Sequence, residues 1–462
     1  MASAARTARA QPPGKPRLLQ AVIDAFQQPD IRKKLLYTIG LLVIFRFVAH
    51  VPIPGVNPGF LDAAFDNNAI LGFLNLFSGG ALRNLSIAAL GVYPYITASI
   101  VMQLLVPIIP SLQAISREGE QGRNRIQLYT HYLAVPMAVV QGYSQLVILE
   151  QAQAVQGIGF TGPDALPTLS AVISLTAGTM FLVWLGELIT ENGIGNGISL
   201  IIFGGIVAGL PTMIPSIATS SLGLFGIGAM IGIGLFILAA IVFVQEAQRR
   251  VPVQYARSVF KSGRMYRQSG QTHIPLRVNS AGMIPLIFAF SIVIFPAAIA
   301  QFLVDSTGGS GGTGLVNNTG RFIIDWFSPQ GIGNVVSPAF MVTVFLLVMV
   351  FTFFYTLVVF QQQNLAENLQ KNGGFIPGIR PGRSTAEYIM SVLVRITWAG
   401  AIFLGLIAVV PYMLPYVITG LRSNTALTLG STSLLIIVGV VLDTMRQLES
   451  QLMMRNYEGF IR

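Results

Sequence analysis

Few residues in this 462-residue chain have the type and spacing that chemistry demands. A G-x-S-x-G match at 308–312 has the spacing of a nucleophile elbow, where a strained strand-to-helix turn exposes a serine for acyl transfer. It lies inside the tract STGGSGGTG, without that context, so a Gly/Ser linker is the better reading and intramembrane hydrolysis is disfavoured. GIGNGIS at 193–199 resembles a phosphate loop only loosely, and no strand precedes it. The Gly14-Lys15 pair is followed by Pro16, so it is no Walker A, and no HExxH occurs. Cysteine is absent, which removes disulfides, thiolate metal sites and thiol catalysis. His50, His131 and His273 are too far apart to read as metal ligands. No metal, no cofactor and no catalytic residue is expected.

Composition says where the remaining residues must sit. Apolar side chains make up 53% of the chain and charged ones 10%, with a mean hydropathy of +0.67. A soluble domain carries roughly 25% charged residues, so most of this surface cannot face water. Apolar runs of about 20 residues suffice to cross a hydrocarbon core of ~30 Å. Ten such spans are expected, at 34–52, 86–107, 127–149, 167–189, 197–214, 223–245, 279–303, 338–360, 388–413 and 427–445. Residues 1–30 hold Arg6, Arg9, Lys15 and Arg17 but no apolar signal-peptide core, so no cleavage is expected. Leu18, Val22, Ala25 and Phe26 share one helical face, which suits a short interfacial helix.

The segment AILGFLNLFSGGALRNL at 69–85 is apolar but short, and it carries Asn75, Gly79, Gly80 and Arg83. Charge decides its status. With ten spans and an inner N-terminus, inner segments hold 23 of the 28 Lys/Arg, including seven in 1–34 and seven in 246–278. Counting 69–85 as a span would put the second seven outside, against the positive-inside rule. It therefore does not cross, and backbone at such depth is buried in protein or lines a cavity, unless the segment is an outer-surface loop. Ten spans split five and five, and an odd half implies two inverted repeats.

Ion-coupled transport of a small solute, the rival function, would need ionisable groups at mid-depth. Glu187 and Asp443 lie near the inner ends of their spans, while Arg46 and Arg395 are the deepest charges and cannot release a proton. Pairing of those arginines with backbone carbonyls is the plain reading. Two inner loops exceed what a simple transporter needs. Loop 246–278 has seven basic residues and one acid, and VPVQYARSVFKSGRMYRQS alternates about Lys261-Ser262-Gly263 as a protruding β-hairpin. Loop 361–387 holds Lys371, Arg380 and Arg383 around GFIPGIRPG. Cationic projections suit an acidic protein or the phosphates of structured RNA, so a large cytosolic partner is expected.

Several long blocks carry a resemblance. They are PIPGV (52–56), FSGGALRNLSIAALGVYPYITASIVMQLL (77–105), EGEQGRNRIQLYT (118–130) and GTMFLVWLGELITENGIGNGISLIIFGGIVAGLP (178–211). FFYTLVVF (353–360), FIPGIRPG (375–382) and GSTSLLIIVGVVLDTMRQLESQLM (430–453) follow. From about residue 18 onward the chain resembles the SecY/Sec61-alpha family of protein-conducting channels. Departures are confined to the N-terminal tail and to loops 150–166 and 304–337.

The resemblance implies an all-α polytopic membrane protein of the plasma membrane, with both termini cytoplasmic. Its ten helices would form two inverted halves in a clamshell, 31–215 and 223–446, between tails 1–30 and 447–462 and joined by a hinge at 216–222. Segment 69–83 would be a re-entrant plug half-helix, with Phe73, Leu76 and Phe77 as apolar contacts and Gly79, Gly80 and Arg83 at its end. The pore ring would be Val92, Ile96, Ile198, Ile202, Ile287 and Ile436. Val92 stands where the family pattern has Ile, which makes for a slightly looser ring. Thr97 and Asn279 would mark a lateral gate between the second and seventh spans, with a helix cap as the alternative role for Asn279. Arg257, Lys261, Arg264, Arg267, Arg380 and Arg383 would contact the SecA motor and the ribosome. SecE would clamp the back and SecG lie at the periphery, with signal-bearing polypeptides as substrate and membrane lipid beside the gate.

Overall fold

Proline and positive-φ positions set where the apolar runs begin and end as helices. The computed structural model describes residues 26, 28–53, 75, 78–151, 155, 158–159, 165–218, 224–261, 264–306, 315–327, 337–363, 365–417 and 430–458. The N-terminal half holds α1 (Pro29–Val48), α2 (Tyr93–Ile108), α3 (Pro110–Ser116), α4 (Glu120–Gln151), α5 (Ala165–Asn192) and α6 (Gly197–Ala218). Then come α7 (Leu224–Glu246), β1 (Gln248–Lys261), β2 (Arg264–Arg277), α8 (Ile284–Ser306), α9 (Leu315–Phe327) and α10 (Pro338–Gln363). The chain closes with α11 (Leu365–Lys371), β3 (Gly374–Phe375), α12 (Arg383–Val417) and α13 (Gly430–Glu458).

Each of the ten expected spans overlaps one helix. Among the described residues, Ala165–Asn192, Pro338–Lys371 and Arg383–Met413 are long and apolar enough to cross a membrane. A fourth candidate is the broken pair α2–α3, bent by 102°. The bend has a local cause: Ile109 precedes Pro110 and is pushed to φ −94°, ψ 114°, outside the helical region. The interfacial helix expected near 18–26 falls outside the described residues apart from Phe26, as do Phe73, Leu76 and Phe77 of the plug and the G-x-S-x-G tract.

The second span needs correction. Its helix starts at Tyr93 rather than at residue 86. Residues 81–92 run as turns, broken by positive φ at Leu85 (39°) and Gly91 (59°), and the helix begins where Pro94 can occupy its first turn. These turns are nonetheless buried: Ala81, Leu82, Leu85, Ser86 and Ala88 are almost wholly enclosed. Their backbone is paired, with Ile53 N–H donating to Leu85 O at 2.9 Å and Ile87 N–H to Val51 O at 3.0 Å. Irregular chain among apolar helices persists only with such partners.

The expected hairpin is present. β1 and β2 pair antiparallel from Gln248 opposite Arg277 to Lys261 opposite Arg264, which leaves a two-residue connection. β3, from the second inner loop, adds to β1 through Gln254–Phe375 and Tyr255–Gly374. The two loops thus form one three-stranded sheet in the order β2-β1-β3. Beneath it Val251, Val253, Leu276, Leu369 and Ile376 pack against Phe360, Ile389, Val392 and Leu393 at the ends of α10 and α12. The largest apolar core runs through helices on both sides of residues 216–222.

Candidate functional site

The six residues expected at the pore ring come from four helices. Val92 is the residue before α2, Ile96 is on α2, Ile198 and Ile202 are on α6, Ile287 is on α8 and Ile436 is on α13. Five are buried members of the main apolar core, and the half-buried Ile198 packs against it. Ile198 and Ile202 lie four apart, hence on one face of α6. Close backbone contact sets that face: a Cβ on Gly197 would overlap the Gly186 carbonyl, and one on Gly186 would come within 3.0 Å of Ile198 Cγ1. The Gly-rich GIGNGIS stretch is the connection that allows this approach. Asn196 Oδ1 accepts from Ser199 N–H at 3.2 Å as the N-cap of α6, and Thr190 Oγ1 accepts from Gly197 N–H at 2.9 Å. The stretch therefore serves a helix start and not a phosphate.

Gly79 and Gly80 form a turn with φ of 67° and 84°, a conformation that glycine adopts without strain. Asn75 and Ser78 hold it: Gly80 N–H donates to Asn75 O at 2.9 Å, Arg83 N–H to Asn75 Oδ1 at 3.0 Å and Leu82 N–H to Ser78 Oγ at 3.0 Å. The turn lies against α6, where a Cβ on Gly79 would come 2.6 Å from Gly205 Cα. Arg46 of α1 donates from Nη1 to Gly79 O at 2.9 Å. That is the carbonyl pairing anticipated for a deep arginine, but its partner 33 residues away carries no sequence signal. Arg83 is exposed beside this turn.

Thr97 and Asn279 do not bond each other. Thr97 Oγ1 donates to Pro94 O at 2.8 Å and accepts from Gln141 Nε2 of α4 at 3.1 Å. Asn279 Nδ2 donates to Gly282 O at 3.0 Å, and its Oδ1 is buried without a partner. The capping role also fails, because α8 begins five residues later, at Ile284. A bond that does cross from α2 to α8 runs from the Tyr93 hydroxyl to Ser291 O at 3.2 Å. Neither Tyr93 nor Gln141 stands out in sequence, since tyrosine and glutamine are ordinary in apolar spans.

The carboxylates weighed as ion carriers have partners. Glu187 Oε1 lies 2.9 Å from His131 Nε2 and accepts from Gln127 Nε2 at 2.9 Å. Asp443 belongs to a network at the neck of the hairpin. Arg446 reaches Glu246 at 2.6 Å and Asp443 at 3.6 Å, and Arg277 reaches Asp443 at 3.8 Å. Burial pulls the Arg277 guanidinium below its ordinary value, and Arg446 adds to this while Asp443 and Glu246 oppose it.

The hairpin register sets Arg257 opposite Gln268, Arg267 opposite Ser258 and Lys261 opposite Arg264. Arg380 is exposed in a loop turned by Gly378 and Gly382, both at positive φ, and is tied by Thr385 Oγ1 donating to its carbonyl at 2.8 Å. Arg383 is exposed at the start of α12 and pairs with Glu387 at 3.0 Å.

The SecY family profile matches residues 86–445. The chain is 43% identical over 457 residues to the protein translocase subunit SecY of Streptomyces scabiei, covering 96% of this chain and 100% of that protein. Identity to the protein of the same name from Mycobacterium bovis is 40% over 458 residues, with the same coverage. A solved structure described as "The structure of a protein conducting channel" superposes with a TM-score of 0.62 at 18% identity, covering 90% of this chain and 91% of that one. Sec61 in the canine ribosome-channel complex gives 0.59 at 18% identity, with the same coverage. With a family profile over most of its length and relatives at this identity end to end, the chain belongs to the SecY family of multi-pass membrane proteins.

Proposed function

We propose that this chain is the channel subunit of a protein translocase, which passes unfolded preproteins across the membrane and releases transmembrane segments sideways into lipid. The observation that supports this reading is that Val92, Ile96, Ile202, Ile287 and Ile436 belong to one apolar core and Ile198 packs against it. Branched aliphatic side chains close around an extended chain of any sequence without demanding hydrogen bonds from it. When no chain is present, an apolar constriction resists water and ions by dewetting.

In this reading ten helices form two inverted halves, 31–215 and 223–446, with both termini cytoplasmic at the plasma membrane. Segment 69–83 is the plug, seated through the Gly79–Gly80 turn, and α2 and α8 are the two sides of the lateral gate. The subunit is not an enzyme. Work comes from partners on the hairpin face, the SecA motor or the ribosome, while SecE and SecG complete the assembly. The sequence supports such docking: the hairpin segment 246–278 holds seven basic residues and one acid, which suits an acidic surface or phosphate.

Photocrosslinkers at Ile96 and Ile202 should capture a stalled secretory precursor, while one at Phe236, 75% exposed on α7, should capture none. Failure of both ring positions to touch a precursor in transit would falsify the proposal. Ion-coupled solute transport, the competing class, requires that replacing Glu187 and Asp443 together abolish flux. The translocase reading expects export to continue.

A further inference from the structure

The loop between α8 and α10 holds a helix that conduction leaves unused. α9 has 13 residues, too few for a hydrocarbon core that takes about 20. It follows the end of α8 that is remote in sequence from the hairpin and packs against α8. Its residues sort by face. Gly320 is buried and Phe327 packs against the main core, so one side is fixed to the helices beside it. Asn318, Phe322 and Trp326 are exposed and fall four apart, along one stripe.

That stripe carries two large aromatics, Phe322 at 62% and Trp326 at 39% exposure, with ring centroids 5.8 Å apart. In water such a pair is unfavourable, since full burial of one phenylalanine is worth roughly 1.5–3 kcal/mol. The neighbouring helix says what covers it. α9 packs against α10, which opens at Pro338 and shows Val342, Leu346 and Val350 on one exposed face, the pattern of a lipid-facing stripe. Val342 is one turn inside the Pro338 end of α10, the end that follows α9 in the chain. Headgroup depth is where tryptophan is enriched in membrane proteins.

We propose that α9 is an interfacial helix, with Phe322 and Trp326 resting roughly 5–10 Å into the headgroup–acyl boundary of the leaflet opposite the hairpin. Through its packing on α8 it ties that helix's far end to lipid. The lipid contact rests on α9 alone, and only its bearing on the lateral gate depends on the channel reading.

The test uses the full chain in vesicles of phosphatidylcholine and phosphatidylglycerol. Trp184→Phe with Trp398→Phe leaves Trp326 alone of the three tryptophans. Its emission should be blue-shifted and quenched more by lipid brominated near the glycerol end of the chain than by lipid brominated at the chain terminus or by aqueous iodide. Dominant iodide quenching would place the ring in water, and protection from every quencher would place it against protein. Either result overturns the proposal. If the double variant does not fold, Phe322→Cys in this cysteine-free chain carries an environment-sensitive dye and should give the same order of quenching.

Discussion

Ile436 and Asp443 stand two turns apart on one face of α13, about 10 Å, yet they belong to regions held together by different forces. The core that holds Ile436 is apolar side chains, and near other members of it bare backbone meets, with Gly79 against Gly205 and Gly186 against Ile198. Around Asp443 they are ion pairs: Asp443 is 68% and Glu246 54% exposed. The first set acts over contact distance, ignores salt and leaves no room for an added atom. The second acts over longer range, is screened by ions and is worth ~0–1 kcal/mol per exposed pair. On the proposed channel reading, a stiff waist beside a yielding neck would suit a closure that resists leakage while the hairpin face adapts to partners.

The contrast predicts effects of decreasing size. Gly205→Val should do most, because its Cβ would run into Gly79 Cα on the packed turn. Overpacking of this kind costs about 1–3 kcal/mol, so ion leak through vesicles carrying the variant should rise roughly 10- to 100-fold and should not depend on salt. Wild-type tightness would mean that the turn does not seal anything. Tyr93→Phe removes the hydrogen bond to Ser291 O and should ease separation of α2 from α8 by about 1 kcal/mol. Membrane insertion of a weakly hydrophobic signal, scored by glycosylation or protease protection, should improve; an unchanged threshold would discount this bond.

At the neck, Arg446→Gln should lower thermal stability by under ~1 kcal/mol, with the deficit shrinking as salt rises. A deficit that persists in high salt would place the neck in the same class as the waist. The smallest effect belongs to Glu367, whose carboxyl is held below its ordinary value chiefly by the hydrogen bond from Lys371. A depressed carboxyl stabilises the fold above its unfolded value, and that gain is lost as pH falls through the folded one. Glu367→Gln should therefore lower the melting temperature slightly at neutral pH and match the wild type in acid, which flattens the acid side of the profile.

The sequence made plain what repeats over many residues. Ten apolar runs became ten helices, and alternation about Lys261-Ser262-Gly263 became paired strands. Hidden from it were contacts between residues far apart in the chain. Gly205 reads as a weak helix position, and only its approach to Gly79 shows why it lacks a side chain. Arg46 was visible as a deep charge, but its partner was not. Thr97 and Asn279 came from family likeness, which selects positions without saying what each bonds. Gln141 and Tyr93 supply the bonds that likeness left open. β3, two residues long, falls below any periodicity that sequence could display.

The hairpin leaves and rejoins the helices through touching backbone, with Val278 N–H donating to Ala247 O at 2.9 Å. α7 and α8 thus share a single footing. The short ladder of β3 and the apolar packing beneath it yoke α12 to the same base. A partner gripping the tip of a 14-residue strand pulls on a lever arm of about 45 Å. It cannot tug one of these helices without hauling on the other two.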